Sequence, residues 1–366
     1  MAERIPMIAN VRTPVAQDIS QKKKAPPFEI DRKIGPSLAD MIHSELSQSI
    51  GIVDTHQVDC MTGITGSEKA LALSALLKDW KVAVVIVPEQ KDIFRWEEDL
   101  AFFAPHVTCL SFPVVEEVDV EVTFSSTERL RERMKTLSAL LSGRPLVVLA
   151  TSVEAAQKIV TPSIMKDHAF SFKQGDELER DGFLETLVSL GYERVDQVER
   201  CGHFAVRGDI VDLFPVNETH PVRMEFWGDE IDSLRFFDED TQRSLMNIKE
   251  ETILPLFVKE DKTALLTDYV ENGLIIYDEP QRAEEGLRRY FKEEKENKKR
   301  AYTWLETIQK ARQVGHKEMA LVLLNRELTG FTFDTVLPWR GMTMTNYQRQ
   351  IPIFMEDLKN RLKGQS

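Results

Sequence analysis

The sequence predicts an α/β fold with a parallel sheet, interrupted by an inserted α+β domain built on antiparallel hairpins. Three observations carry this. Val82-Ala83-Val84-Val85-Ile86-Val87, Leu146-Val147-Val148-Leu149-Ala150 and Leu274-Ile275-Ile276-Tyr277 are continuous apolar runs of strand length. Such runs suit parallel strands buried on both faces. Helical periodicity fills the chain between the first two, the alternation of a parallel α/β sheet. Between residues 168 and 258 the pattern changes to short strands joined by Gly-Asp dipeptides.

Taken in order, residues 1–37 hold Pro6, Pro14, Pro26, Pro27, Pro36 and the run Lys22-Lys23-Lys24, the composition of a mobile polar arm. Leu38, Met41, Ile42 and Leu46 recur at helical spacing. Val58-Asp59-Cys60 is a short strand that runs into the glycine turn Thr62-Gly63-Ile64-Thr65-Gly66, followed by a helix from Ser67 to Trp80. Residues 89–103 read as a helix. Leu130, Met134, Leu137 and Leu141 mark another, which Gly143 ends. Thr151-Ser152 offers a cap for a helix from Val153 to Ile159.

Within the insert, Phe204-Ala205-Val206-Arg207 and Ile210-Val211-Asp212-Leu213 flank Gly208-Asp209. Val222-Arg223-Met224-Glu225-Phe226 and the strand from Ile231 to Phe236 flank Gly228-Asp229. Glycine first in the turn fits a type II′ hairpin. Strand alternation turns Val222, Met224 and Phe226 to one side and Arg223 and Glu225 to the other. After Pro255 the parallel style resumes, residues 281–314 are charged and helical, and Met355, Leu358 and Leu362 suggest a last helix. The resulting division is an arm (1–37), a discontinuous α/β domain (38–167 and 259–366) and an inserted domain (168–258).

The 366 residues carry a net charge of −13, with 42% apolar and 29% charged residues. That argues against a uniformly basic nucleic-acid coat. The insert holds nine basic and twenty acidic side chains, a net of −11, which fits a protein partner better than DNA. Cys60, Cys109 and Cys201 are too few and too scattered for a disulfide framework, and reduced thiols suit a cytoplasmic protein. No apolar run reaches the length of a membrane span, and no secretory signal is expected at the start.

Gly63-Ile64-Thr65-Gly66-Ser67-Glu68-Lys69-Ala70 is laid out like a P-loop between strand and helix, but two defining residues differ. Glu68 replaces the second glycine, and Ala70 replaces the hydroxyl residue that would hold Mg²⁺. A carboxylate about 5 Å from a phosphate charge costs about 3 kcal/mol at an effective dielectric near 20, roughly a hundredfold in affinity. Lys69 remains. Asp278-Glu279, at the end of an apolar strand, stands where a Walker-B acidic pair would, and Pro280 follows. The expectation is a degenerate nucleotide site at Gly63, Gly66, Glu68, Lys69, Ala70, Asp278 and Glu279, with no working cofactor, no metal and no catalytic residue.

Arg194, Arg207 and Arg223 form the other notable set. Two readings are open: solvated arginines on an acidic domain, or a docking face in which arginine pairs bidentately with carboxylates. Phe214, before Pro215, is either an apolar anchor of that face or part of the core.

Three stretches of the insert carry a resemblance. They are Gly191 to Val198 (GYERVDQV), Phe204 to Pro215 (FAVRGDIVDLFP) and Pro221 to Arg235 (PVRMEFWGDEIDSLR). They resemble the UvrA-binding domain shared by UvrB, the excision-repair helicase subunit, and the transcription-repair coupling factor (Mfd) family. With weaker flanks the resemblance covers roughly residues 38–360. It leans to the coupling factors, because the P-loop is degenerate and the segment Phe112 to Thr127 has no tyrosine and carries Glu116, Glu117, Asp119 and Glu121.

The resemblance implies a RecA/helicase-like α/β domain and UvrA as partner. It implies docking through Arg194, Arg207, Arg223 and Glu225, with Phe214 beside them. Ala205 departs from the pattern, standing where UvrB-type sequences have arginine, so one docking charge is expected to be missing. The expected function is a non-catalytic UvrA-recruitment module of transcription-coupled nucleotide excision repair. Longer family members add RNA polymerase binding and an ATP-dependent DNA translocase. The competing expectation is a UvrB-like subunit that binds ATP and DNA.

Overall fold

The computed structural model describes residues 58–115, 124–256, 258, 262–293 and 297–339, with single positions between 40 and 46 and between 352 and 359. The polar arm, the acidic segment 116–121, and Leu38, Met41, Leu358 and Leu362 lie outside the described residues.

The first half of the α/β frame runs β1 (Val58–Thr62), α1 (Glu68–Leu76), β2 (Val82–Val87), α2 (Gln90–Phe103), β3 (Thr108–Ser111), α3 (Phe124–Leu141), β4 (Leu146–Thr151) and α4 (Ser152–Ala156). The helix expected to reach Ile159 stops at Ala156. Gln157 and Ile159 form bridges with Ala301 and Ala264, and those pairings claim the backbone that a further helical turn would use.

α5 (Pro162–Asp167) closes this half of the frame, and the insert follows: β5 (Phe170–Lys173), α6 (Arg180–Ser189), β6 (Glu193–Arg194), β7 (His203–Arg207), β8 (Ile210–Leu213), β9 (Val222–Trp227), β10 (Glu230–Phe237), β11 (Ser244–Asn247) and β12 (Glu250–Ile253). Gly208 (φ 62°) and Gly228 (φ 65°) open the two tight hairpins, and the aspartates after them keep negative φ. One left-handed residue, in first place, marks a type II′ turn. The chain then returns to the frame through β13 (Leu274–Asp278), α7 (Pro280–Glu293), α8 (Asn297–Arg300), α9 (Trp304–Val314), β14 (Lys317–Val322) and β15 (Thr335–Pro338). Among the described residues the stretch expected to be helical from 281 to 314 is thus interrupted at 301–303, before α9. That helix is restarted by a capping box in which Thr303 and Glu306 satisfy each other's backbone N–H groups.

Among the described residues the large sheet has the order β15-β1-β14-β13-β2-β4-β3, with every pairing parallel. Its central strands are buried on both sides. Val84, Ile86 and Val148 face one core, and Val85, Val87 and Leu149 face the other. The second sheet, β11-β10-β9-β8-β7-β6, packs its main core on one side, and a small cluster around Ala205 covers part of the other. Val222, Met224 and Phe226 turn inward against Phe183, Leu187 and Phe204, while Arg223 and Glu225 turn outward, as alternation requires.

β14, which sits between β1 and β13, has no counterpart in the sequence reading because it opens on two charged residues. Both are buried. Lys317 Nζ lies 2.7 Å from Asp59 Oδ2 on β1, and Glu318 accepts from Arg312 Nε at 3.0 Å. A charge out of water must be paired, and here each partner comes from a neighbouring element.

The insert is fastened to the frame by Val216 and Leu254, which enter the frame's core. Tyr192 Oη donates to Leu254 O and accepts from Val216 N–H, and Asn217 Nδ2 donates to Thr252 O.

Candidate functional site: a sheet face and a self-closed phosphate loop

At the end of β1 the chain turns through Gly63 (φ 77°) and Gly66 (φ 54°) into α1. A helix N-terminus reached this way exposes N–H groups that suit a phosphate. Here the protein's own carboxylate takes that place. Glu68, in the first turn of α1, reaches back so that Oε2 accepts from Thr65 N–H at 3.3 Å. Lys69 Nζ lies 2.5 Å from Asp278 Oδ1 and 3.2 Å from Glu279 Oε1. Asp278 Oδ2 also accepts from the Trp96 indole at 2.9 Å. Glu279 holds a left-handed φ of 45° and accepts from Leu323 N–H at 2.9 Å. Ala70 is buried and supplies no hydroxyl.

A cleft of about 670 Å³ lies over this loop. The structure thus brings the degenerate site residues together, strand end against loop. They depart from the donor set of a phosphate loop: an acid sits on the Thr65 amide, the lysine is paired with two carboxylates, and residue 70 offers no hydroxyl.

The residues expected to dock a partner fall on or beside the outer face of the insert's six-stranded sheet. Arg194 is exposed on β6. Arg207 is exposed at the end of β7, where Nη2 donates to Asp196 O at 3.2 Å. Arg223 is half-buried. Its Nε and Nη2 donate to the two Asp212 oxygens at 2.6 and 2.8 Å, Nη2 also donates to Gln242 Oε1 at 3.0 Å, and the guanidinium stacks 4.4 Å from the Phe237 ring centroid. Glu225 accepts from Arg235 Nη2 at 2.5 Å and from Ser233 Oγ at 2.8 Å. Those two donors hold its carboxyl down at about 2.

Two expectations are corrected here. Phe214 is no surface anchor: it is buried with Val198, Cys201 and Ala205 in a satellite core at the β6–β7 end of the sheet. Ala205 is not a gap in a row of exposed charges either. The segment leading from β6 to β7 folds over it, and its methyl group fills that small core. Sequence reasoning missed Trp227, the last residue of β9, which is 82% exposed. Its signal was the phase it shares with Arg223 and Glu225.

Residues 170–257 match the UvrB interaction domain family. The chain is also similar to curated transcription-repair-coupling factors. It is 32% identical to that of Staphylococcus haemolyticus over 221 residues, which is 60% of this chain and 19% of the relative. It is 28% identical to that of Bacillus subtilis over 219 residues, 58% of this chain and 18% of the relative. It is 32% identical to that of Haemophilus influenzae over 196 residues, 53% of this chain and 17% of the relative. The chain thus spans less than a fifth of the length of these relatives. Residues 170–257 thus match the UvrB interaction domain family, within a chain that is similar over somewhat more than half its length to transcription-repair-coupling factors.

Proposed function

We propose that this chain is a recruitment module for UvrA in transcription-coupled nucleotide excision repair, with no catalysis of its own. The observation that carries the reading is the outer sheet face of the matched domain, with Arg207 free to meet an acidic partner surface. Arg223 and Glu225 act there through their pairs with Asp212 and Arg235, which fix the face, and Arg194 extends it. The self-closed phosphate loop supports the non-catalytic part. Glu68 and the neutralised Lys69 leave a nucleotide no anchor, and ATP, Mg²⁺, DNA and RNA polymerase belong to other parts of the family's longer members. Among the described residues no helix is long and apolar enough to cross a membrane. The setting we propose is the cytoplasm.

The test is calorimetric titration of UvrA into this chain, wild type against Arg207→Glu, with ATP titrated alone as control. UvrA binding that charge reversal removes, with ATP silent, supports the module. Wild-type protein that fails to bind UvrA overturns it, and Mg²⁺-dependent heat from ATP overturns the non-catalytic reading.

A further inference from the structure

Trp227 is 82% exposed, more than any other large apolar side chain among the described residues. It lies on the same outward phase of β9 as Arg223 and Glu225. The register pairs Arg207 with Ile210 and Ile210 with Glu225, so Trp227, two residues on, stands at the same end of the sheet face as Arg207. Two hairpin tips meet at that end. Both tip glycines have open space where a side chain would stand.

The backbone beneath the indole is pinned. Phe226 N–H donates to Asp209 O at 2.8 Å, Leu178 N–H donates to Asp229 O at 2.6 Å, and Arg180 Nη1 donates to Gly208 O at 3.1 Å. A tryptophan on a pinned backbone, at the same end of the sheet face as an arginine and rimmed by exposed polar groups, is the composition of an interface hot spot, and the pinned backbone lowers the ordering cost of binding. Phe94 and Phe102 are also exposed, but they lie on α2, outside the matched domain.

We propose that Trp227 is the apolar anchor of the UvrA-docking face, in the role that buried Phe214 cannot take. The inference rests on the docking reading above. The occupant is the UvrA surface, and the chemistry it must present is an apolar pocket wide enough for an indole, with a carboxylate on its rim opposite Arg207.

The test titrates UvrA into wild type, Trp227→Ala, Trp227→Phe and Arg207→Glu, with thermal melts of each. The expected result is a loss of about thirtyfold or more in affinity for Trp227→Ala, a smaller loss for Trp227→Phe, and melting temperatures at the wild-type value. In wild type, the indole emission shifts to the blue on UvrA addition, and Trp227→Phe lacks that component. Wild-type affinity in Trp227→Ala, with binding still lost in Arg207→Glu, overturns the anchor and leaves the docking reading standing. Wild-type protein that does not bind UvrA overturns both. A melting temperature in Trp227→Ala lowered as far as in a core substitution such as Phe204→Ala makes Trp227 a packing residue and overturns the anchor.

Discussion

Lys69 Nζ and Asp278 Oδ1 lie 2.5 Å apart, joining the start of α1 to the end of β13 across 209 residues. The pair is largely out of water, with 12% and 8% of the side chains exposed. In a working phosphate loop the lysine serves a ligand. Here it ties the start of α1 to the end of a central strand of the sheet.

Removing Lys69 therefore acts on stability. Lys69→Met leaves Asp278 as an unpaired buried acid and is expected to cost about 3 kcal/mol. Lys69→Met combined with Asp278→Leu is expected to recover most of it. Urea denaturation of the two variants measures both, and a single variant as stable as wild type contradicts the tie.

Glu68 and Ala70 are the two departures from the P-loop pattern, and under the proposed function they close the loop to nucleotide. Glu68→Gly with Ala70→Ser frees the Thr65 amide and restores a metal-binding hydroxyl. The double variant is expected to gain Mg²⁺-dependent ATP binding by about a hundredfold or more over wild type. Calorimetry without any such gain shows that the obstacle lies elsewhere in the cleft.

Arg207 and Arg223 are separable by stability. Arg223→Ala strands Asp212, whose side chain is 2% exposed, and is expected to cost about 3 kcal/mol. Arg207→Ala changes an exposed residue with one hydrogen bond to a backbone carbonyl, and its stability should stay within about 0.5 kcal/mol of wild type. Melting curves of the two distinguish a positioning arginine from a free one.

Glu318 gives the fold a pH dependence. Burial raises its carboxyl from 4.5 to about 7, and the nearby Arg312 offsets only part of that. A raised carboxyl binds its proton more tightly in the folded state, so its contribution to stability is complete below pH 4.5 and is lost as pH climbs towards 7. Over that window it lowers stability by up to about 1.4 kcal/mol per pH unit. Glu318→Gln should flatten the decline, read as unfolding free energy at pH 5, 6 and 7. An unchanged slope in the variant assigns the titration to other buried acids.

The frame was legible wherever burial alone dictates composition. β2, β4 and β13 are covered on both faces, so nearly every position is apolar and the runs stand out. The hairpins at Gly208 and Gly228 were legible because the turn requires a left-handed first residue. β14 was not, because Lys317 and Glu318 become acceptable inside only through Asp59 and Arg312, and no local pattern announces a partner on another element. The same limit governs the sheet face. Alternation set the outward phase of Arg223, but not that Asp212 and Phe237 would hold it. Nor could it show that the segment before β7 would bury Phe214 and Ala205 while the tip beside Trp227 stayed bare.

The strand order also fixes a sequence of events during synthesis. Asp59 leaves the ribosome early, and its partner Lys317 follows 258 residues later, on the strand that separates β1 from β13. Until that strand emerges, β1 has neither of its neighbours and the large sheet cannot close. The six-stranded sheet draws all its strands from residues 193–247, each lying beside its neighbour in sequence, so it can complete itself while the frame is still open. The matched domain can thus be the first to be ready, and the frame that carries it assembles around it afterwards.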